Sequence, residues 1–203
     1  SGDGIYMEGV TGTTVIGLLE VEYDSGGYGS ALNLANAGTV RVTNGASTVH
    51  AANSQGFDLV NTNVDFDLAS VEVEASPSQG LYMEGLSGSI IIAGGTITGA
   101  DGAGVRFENG DVDFQFAGDI LDGWDHAVVA EGLEGGLIRF SGEIASTRGA
   151  IQLIDSPDAA FQFSGTLDFD LAESDGILAS NAGVLEVTGT TNRITANYGS
   201  PAI

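Results

Sequence analysis

Residues 80–85, Gly-Leu-Tyr-Met-Glu-Gly, repeat residues 4–9, Gly-Ile-Tyr-Met-Glu-Gly, almost letter for letter. The two hexapeptides start 76 residues apart, which equals about three periods of 25. The same beginning, a small residue followed by an apolar one, recurs along the whole chain at intervals of 23 to 27 residues. Its small residues are Gly4, Ala31, Gly56, Gly80, Gly104, Ala127, Ala150, Gly176 and Ala202. This regularity predicts a repeat architecture in which each period is one structural unit.

Within each period, apolar and polar residues alternate as they do in β-strands. The first segment carries its apolar pair at Ile5/Met7, Leu32/Leu34, Phe57/Leu59, Leu81/Met83, Val105/Phe107, Val128/Ala130, Ile151/Leu153 and Ile177/Ala179. A second alternating segment follows, for example Phe114-Gln115-Phe116 and Phe161-Gln162-Phe163. A third short segment then begins at an apolar residue such as Ile120 or Ile144. Three short strands separated by turns are typical of one coil of a β-helix.

The sequence therefore predicts an all-β protein, a right-handed parallel β-helix (solenoid) with three short strands per coil. About eight coils of about 25 residues would form one domain over residues 1–203, a segment of a longer solenoid. No stripe of apolar residues at helical spacing with capping residues is present, so we expect little helix. An antiparallel sandwich would require turns every 8–12 residues and would not produce this longer register.

The composition limits the kinds of molecule that this chain can bind. The formal net charge is −23, with five Arg, no Lys and no Cys. Such a surface repels nucleic acid and anionic lipid headgroups, and it suits cations and salty water. Disulfides and thiolate metal sites are excluded because there is no Cys. No apolar run approaches the length of a membrane-spanning helix, so we expect no membrane insertion of this segment.

The repeats resemble those of large bacterial surface proteins. The segments that carry the resemblance are residues 149–153, 161–167 and 183–194, which read GAIQL, FQFSGTL and GVLEVTGTTNRI. They are similar to the β-strand repeats of such proteins and to the pertactin-like passenger stalks of autotransporters. The resemblance covers the full chain as a loose repeat without a signature motif. It implies a secreted or cell-surface rod and carries over no catalytic residue.

A column of carboxylates is the candidate metal site. Glu84, Glu108 and Glu131 occupy the same position of three consecutive coils, and Glu8 occupies it in the first coil. Adjacent members would lie about 5 Å apart, where like charges repel unless a cation or solvent intervenes. Ca²⁺ prefers six to eight oxygen ligands, which neighbouring Glu side chains and turn carbonyls can supply in part. The two interpretations are a Ca²⁺ site and a solvated row of Glu side chains.

A candidate binding surface lies on the outward side of the first strand. Its outward positions are Tyr6, Asn33, Asp58, Tyr82, Arg106, Val129, Gln152 and Leu178. Tyr82 and Arg106 are neighbours there, which permits a cation–π contact. Exposed aromatic side chains on a flat sheet can bind a carbohydrate or a protein receptor, so Tyr6, Tyr82 and Arg106 are the candidate binding residues. Packing within the sheet is the alternative role of these tyrosines.

An enzymatic alternative rests on Asp122, Asp125 and His126, with Arg139 and Arg148 one coil onward. Two carboxylates at a suitable separation can hydrolyse a glycosidic bond, and a polysaccharide lyase can use carboxylates together with Arg or His. A solvated, Asp-rich turn explains the same residues without catalysis. If these residues meet in one groove, an enzyme is favoured; if they are scattered around the coil, a stalk is favoured.

We therefore expect a non-enzymatic, extracellular or cell-surface β-helix stalk with a structural or adhesive role. Its partners would be neighbouring coils of its own longer chain, further copies stacked end to end into fibres, and a carbohydrate or protein receptor. The chain opens at Gly4-Ile5-Tyr6-Met7 with almost nothing before it, and Pro201-Ala202-Ile203 already begin another first strand. Two uncapped ends of this kind predict end-to-end association.

Overall fold

Three faces, each built from eight parallel strands, enclose the apolar side chains of the protein. The computed structural model describes residues 2–24, 26, 28–121, 125–171 and 174–196, and within them it contains no helix. The strands are β1 Ile5–Glu8, β2 Thr13–Ile16, β3 Glu20–Asp24, β4 Ser30–Ala35, β5 Thr39–Ala52, β6 Gln55–Val60, β7 Asn63–Glu74, β8 Leu81–Ile92, β9 Gly95–Thr98, β10 Val105–Gly110, β11 Asp113–Phe116, β12 Asp119–Leu121, β13 His126–Glu131, β14 Leu137–Phe140, β15 Ile144–Ser146, β16 Gly149–Phe163, β17 Leu167–Leu171, β18 Ile177–Val187 and β19 Arg193–Ala196. The chain is thus a parallel β-solenoid of about eight coils, as the repeat predicted.

Each face is one continuous parallel ladder. Face 1 runs β1–β4–β6–β8–β10–β13–β16–β18. Face 2 runs β2–β5–β7–β8–β11–β14–β16–β18. Face 3 runs β3–β5–β7–β9–β12–β15–β17–β19. The long strands β5, β7, β8, β16 and β18 bend at a corner and contribute to two faces each.

The predicted register of face 1 is confirmed in all eight coils. Its first inward column is Ile5, Leu32, Phe57, Leu81, Val105, Val128, Ile151 and Ile177, and each is the register partner of the next. Alternation places every second side chain inside, because successive Cβ atoms point to opposite sides of a strand. Between Leu32 and Ile151 the side chains of this column are at most 1% exposed. The stacked columns therefore form one apolar core that extends through the coils.

The small residues at the start of each coil are required by close approach. A Cβ at Gly80 would lie 2.5 Å from the carbonyl oxygen of Gly104, and one at Gly104 would lie 2.8 Å from that of Ala127. Neither glycine has a positive φ. The crowding comes from the neighbouring coil, so even the Cβ of Ala would force a shift at these two positions. Ala202, the last member of the predicted series, lies outside the described residues.

A left-handed residue marks the corner between faces 1 and 2 in every coil. The eight residues are Gly9, Asn36, Asn61, Gly85, Asn109, Gly132, Asp155 and Asn181, with φ between 48° and 68°. Gly, Asn and Asp are the residue types that adopt this conformation at least cost. The side chains stack as well, since Asn181 Nδ2 donates to Asp155 Oδ1 at 3.1 Å. The corner therefore has the same geometry in each coil although its residue type varies.

Phenylalanine rings occupy the centre of the core on face 2. The Phe140 ring, 2% exposed, stacks on the Phe163 ring of the next coil with centroids 5.5 Å apart and planes 5° apart. It also contacts the Phe114 ring at 5.7 Å. Such contacts add to the free energy gained from burial of the rings.

We expect Phe140→Ala to lower the free energy of unfolding by about 3–5 kcal/mol, because it removes a ring from a closely packed column. Gln115→Ala is the matched control: Gln115 points outward from face 2, and its loss should cost less than about 0.5 kcal/mol. Urea unfolding followed by circular dichroism measures both changes. Equal midpoints for the two variants would contradict the stacked core.

A second column of residues with positive φ lies at the corner that follows face 3. Asn53, Ala75 and Gly99 follow face 3 at equivalent positions, with φ of 52°, 53° and 62°. Ala is the least suitable of the three, so Ala75→Gly should raise the free energy of unfolding by about 0.5–1 kcal/mol. Ala46→Gly, at an exposed strand residue without a positive φ, should lower it by a similar amount. Thermal melting of both variants should show opposite shifts.

Candidate functional site

The predicted column of carboxylates is brought together on the outward side of face 1. Glu108 is paired in register with Glu84 on one side and with Glu131 on the other. Tyr82 and Arg106 are also register partners, two residues earlier in the same strands. We call Tyr82, Glu84, Arg106, Glu108 and Glu131 the ladder cluster. The repeat spacing placed all five correctly on consecutive coils.

Arg106 is the central group of the ladder cluster. Its Nε and Nη2 atoms both lie 2.5 Å from Glu108 Oε1, and Nη2 lies 3.5 Å from Glu131 Oε2. The side chains of Arg106 and Glu108 are each 26% exposed. Arg106 therefore compensates two of the three carboxylates through charge-assisted hydrogen bonds. These contacts with carboxylates were not anticipated, since the sequence suggested a contact with the Tyr82 ring.

Tyr82 connects the third carboxylate to the other two. Its hydroxyl contacts Glu84 Oε2 at 2.9 Å and Glu108 Oε2 at 2.8 Å. Partial burial raises the pKa of Tyr82 strongly, and its hydrogen bonds to Glu108 and Glu84 raise the pKa further. The phenol therefore stays protonated as a hydrogen-bond donor between two carboxylates. The ladder cluster is a hydrogen-bonded network in which Glu131 is exposed and the other four side chains are half-buried.

No group of three or more His, Asp or Glu side chains within the described ranges has an arrangement suited to a metal ion. At the ladder cluster, a Ca²⁺ ion would have to compete with Arg106 for Glu108 and Glu131. Calcium binding by Glu84, Glu108 and Glu131 stays a prediction, and Arg106 supplies an alternative source of positive charge for the same column.

The stability of an Arg106→Gln variant tests whether Arg106 or Ca²⁺ neutralises the column of Glu side chains. We expect this variant to lose about 1–2 kcal/mol of unfolding free energy at low ionic strength, because Glu108 and Glu131 lose their positive partner while Glu84 lies next to them. Calcium chloride should restore part of the loss, whereas the wild type should respond to it no more than to NaCl of matched ionic strength. Melting curves measure both responses. A calcium-specific rise in the wild type that is lost on triple Glu→Gln substitution would instead establish a calcium site.

Tyr6 does not join the ladder cluster. It lies three coils from Tyr82 in the same outward column, about 14 Å along the ladder. Its side chain is 55% exposed, and its hydroxyl contacts the Glu8 carboxylate. That hydrogen bond raises the pKa of Tyr6. The three candidate binding residues therefore form two separate surfaces.

Val129 departs from the expected outward patch because it is only 2% exposed. Its register partners are Arg106 and Gln152, whose longer side chains flank it along the ladder. Leu178, farther along the same column, is 37% exposed. An outward-pointing side chain on a flat sheet can thus be covered by its neighbours, so alternation alone does not establish exposure.

The described residues of the enzymatic alternative do not all lie together, because Arg139 is separated from Asp125, His126 and Arg148. Asp122 lies outside the described residues. Asp125 Oδ1 lies 2.7 Å from His126 Nδ1 at the start of face 1, and Arg148 occupies the same corner one coil onward. Arg139 belongs to face 2, where its Nε donates to Gln162 Oε1 at 2.7 Å.

The structure also contains a notch that the repeat pattern did not indicate. It lies beside the first coils on face 1 and has a volume of about 360 Å³. The lining residues are Asp3, Tyr28, Gly29, Ser30, Asn33, Gln55, Asp58, Pro77 and Ser78. The outward positions of Asn33 and Asp58 were recognised from the alternation, but the loops around them were not, because loop length varies from coil to coil without a sequence period.

Among the described residues there is no helix of the length and apolar character needed to cross a bilayer. Comparison of the chain with protein-family models, with curated proteins and with solved structures finds no match. The resemblance to bacterial surface repeats therefore rests on the repeat sequences themselves.

Proposed function

We propose that this chain is a non-enzymatic structural or adhesive stalk of a bacterial cell-surface or secreted protein. The observation that carries the proposal is the unbroken course of all three parallel ladders through about eight coils. At about 4.8 Å per coil, this stack is a rod about 38 Å long. A structure of this kind holds its two ends apart and displays its side surfaces at regular intervals, which is the task of a stalk.

The charge of the chain suits a rod that does not pair sideways with its neighbours. A net charge of −23 keeps neighbouring rods apart in solution and opposes sideways pairing of their faces. Two arginines within the ladders pair with acidic side chains of adjacent coils: Arg41 is 2.8 Å from Asp65 of the next coil, and Arg193 is 2.6 Å from Asp168 of the preceding coil. These ion pairs stabilise the contact between adjacent coils.

The placement of polar side chains favours a stalk over an enzyme. Asp125, His126 and Arg148 lie at one corner before face 1, but Arg139 lies on face 2, so these four residues do not all line one groove. Cleavage of an acidic polysaccharide such as pectate or alginate that disappears in Asp125→Ala would overturn the stalk.

Adhesion would use side chains that are free on the outside of the rod. Tyr6 is more than half exposed, whereas Tyr82 and Arg106 are engaged with the carboxylates of the ladder cluster. A carbohydrate or protein receptor would therefore contact Tyr6 directly. The same receptor would contact the ladder cluster as a polar surface whose side chains are already held by hydrogen bonds to one another.

The two described ends of the core support end-to-end assembly. Ile5 and Met7 in the first coil are half-buried, whereas Leu32 and Leu34, their partners in the second coil, are at most 1% exposed. At the other end, Val187 is 39% exposed, although its partner Phe163 is fully buried. A further coil on either end, from the chain's own longer solenoid or from another copy, would cover these side chains and extend the ladders.

We expect the 203-residue chain to form larger particles as protein and salt concentrations rise, because salt screens the repulsion between acidic rods. Met7→Glu should reduce this association, since it places a charge on the apolar end of the core. Tyr6→Glu introduces the same charge one residue away on the outward side and should leave association unchanged. Light scattering measures the mean mass of all three proteins. A wild type that stays monomeric at millimolar concentration in high salt would contradict end-to-end assembly.

A further inference from the structure

Unequal loops create the notch on face 1. Five residues separate β3 from β4 and six separate β7 from β8, whereas only two separate β5 from β6, which lie between them in the stack. The two long loops enter β4 and β8, which are two coil rises apart, about 10 Å. A short loop between two long ones leaves a recess in the corner of the rod. Its volume of about 360 Å³ falls in the range of small-molecule sites.

The floor and rim of the notch differ in chemistry. Asn33, Gln55 and Asp58 are half-buried and form a floor of amide and carboxyl groups. Tyr28, which is 80% exposed, and Pro77, also exposed, lie on the rim and offer apolar surfaces. A ligand that matches both parts needs hydrogen-bonding groups along its edge and an apolar face, and a sugar ring has this combination.

The charges of the notch are all of one sign. Asp3 and Asp58 line it, and no Arg or His does. The Asp3 carboxylate is satisfied by the Ser30 amide at 2.8 Å and by Asn33 Nδ2 at 3.3 Å. Asp58 has neither a hydrogen bond nor an ion pair with any described residue, and the charges that act on it, those of Asp3 and Glu84, are negative. A half-buried carboxyl without a partner, facing an open recess, is suited to a cationic group of a ligand.

We propose that the notch binds a single sugar ring that carries a protonated amino group, with the ammonium at Asp58 and the ring against Tyr28. The ammonium would supply the positive partner that Asp58 lacks within the chain. Tyr28 would pack on the apolar face of the ring, with an added attraction between its aromatic face and the positive charge. Asn33 and Gln55 would hydrogen-bond the ring hydroxyls. An acidic sugar would be repelled by Asp3 and Asp58.

The protonation of Asp58 makes the binding depend on pH. Burial raises the pKa of Asp58, and the negative charges of Asp3 and Glu84 raise the pKa further. The remaining titratable side chains next to it are Tyr28 on the rim and Tyr82, its register partner, and both are phenols. When the pH falls through the raised pKa, Asp58 becomes neutral and loses its attraction for the ammonium. Affinity should therefore fall as the solution becomes more acidic.

D-glucosamine and N-acetyl-D-glucosamine are the matched probes, because acetylation removes the charge and keeps the ring. Titration of the ¹⁵N-labelled chain at pH 6 and 0.15 M salt, followed by NMR, should shift the side-chain amide signals of Asn33 and Gln55. We expect the acetylated sugar to bind at least tenfold more weakly. Asp58→Asn should weaken glucosamine binding at least tenfold, and Tyr28→Ala should weaken it severalfold. Asp111→Asn, the same change at an exposed residue of another corner, should leave it unaltered.

Three results would overturn the proposal. They are equal binding of the acetylated sugar, unaltered binding by Asp58→Asn, and shifts spread over the acidic surface that Asp111→Asn reduces as much. If Asp58→Asn fails to fold, Tyr28→Ala still tests the site, because the Tyr28 side chain projects into solvent. The stalk does not depend on this site, so failure to bind glucosamine would leave that function standing.

Discussion

The backbone hydrogen bonds between the strands of consecutive coils are the interaction on which the rest of this structure depends. Each strand takes both of its partners from the coils before and after it, so no coil can satisfy its backbone alone. The bonds require every coil to follow nearly the same path. A residue is therefore accommodated only if its neighbours about 4.8 Å away on both sides tolerate it. This explains why small residues recur at the start of face 1 and why a left-handed residue recurs at the corner after it.

The repeat period and the alternation predicted the three faces, and on face 1 they predicted the register of all eight coils. On the other faces the inward side was clear, but the pairing partner was not. Phe66 pairs with Ile90, and Ile90 pairs with Phe114, whereas Val64 pairs with Gly88. A shift of two residues keeps the same side chains inside, so the apolar pattern cannot distinguish these registers. The geometry of the hydrogen-bonded corners between the faces selects one of these two registers.

The candidate sites also include features that the repeat predicted and features that it did not. The repeat predicted that Glu84, Glu108 and Glu131 form one column, because residues at the same position of consecutive coils stack on one another. It did not predict that Val129 would be covered, since burial on an outward face depends on the particular side chains beside it. Nor did it predict the notch, which arises from a difference between successive loops. Features common to all coils can be read from the sequence, and features that distinguish one coil from the next require the structure.

Stacking equal coils also brings like charges into columns, and the chain relieves this repulsion locally. Arg106 lies beside Glu108 and Glu131, and Gln162 links Arg139 to Glu186 through its two amide atoms. Each of these groups contacts an adjacent coil, so a single cation or amide stabilises a junction between coils. Asp58 is different because its neighbours along the column, Asn33 and Tyr82, make their side-chain hydrogen bonds elsewhere. The five Arg can match only a few of the 28 Asp and Glu side chains. A half-buried carboxyl that faces a recess without a partner is therefore a place where a ligand from outside can supply the missing positive charge.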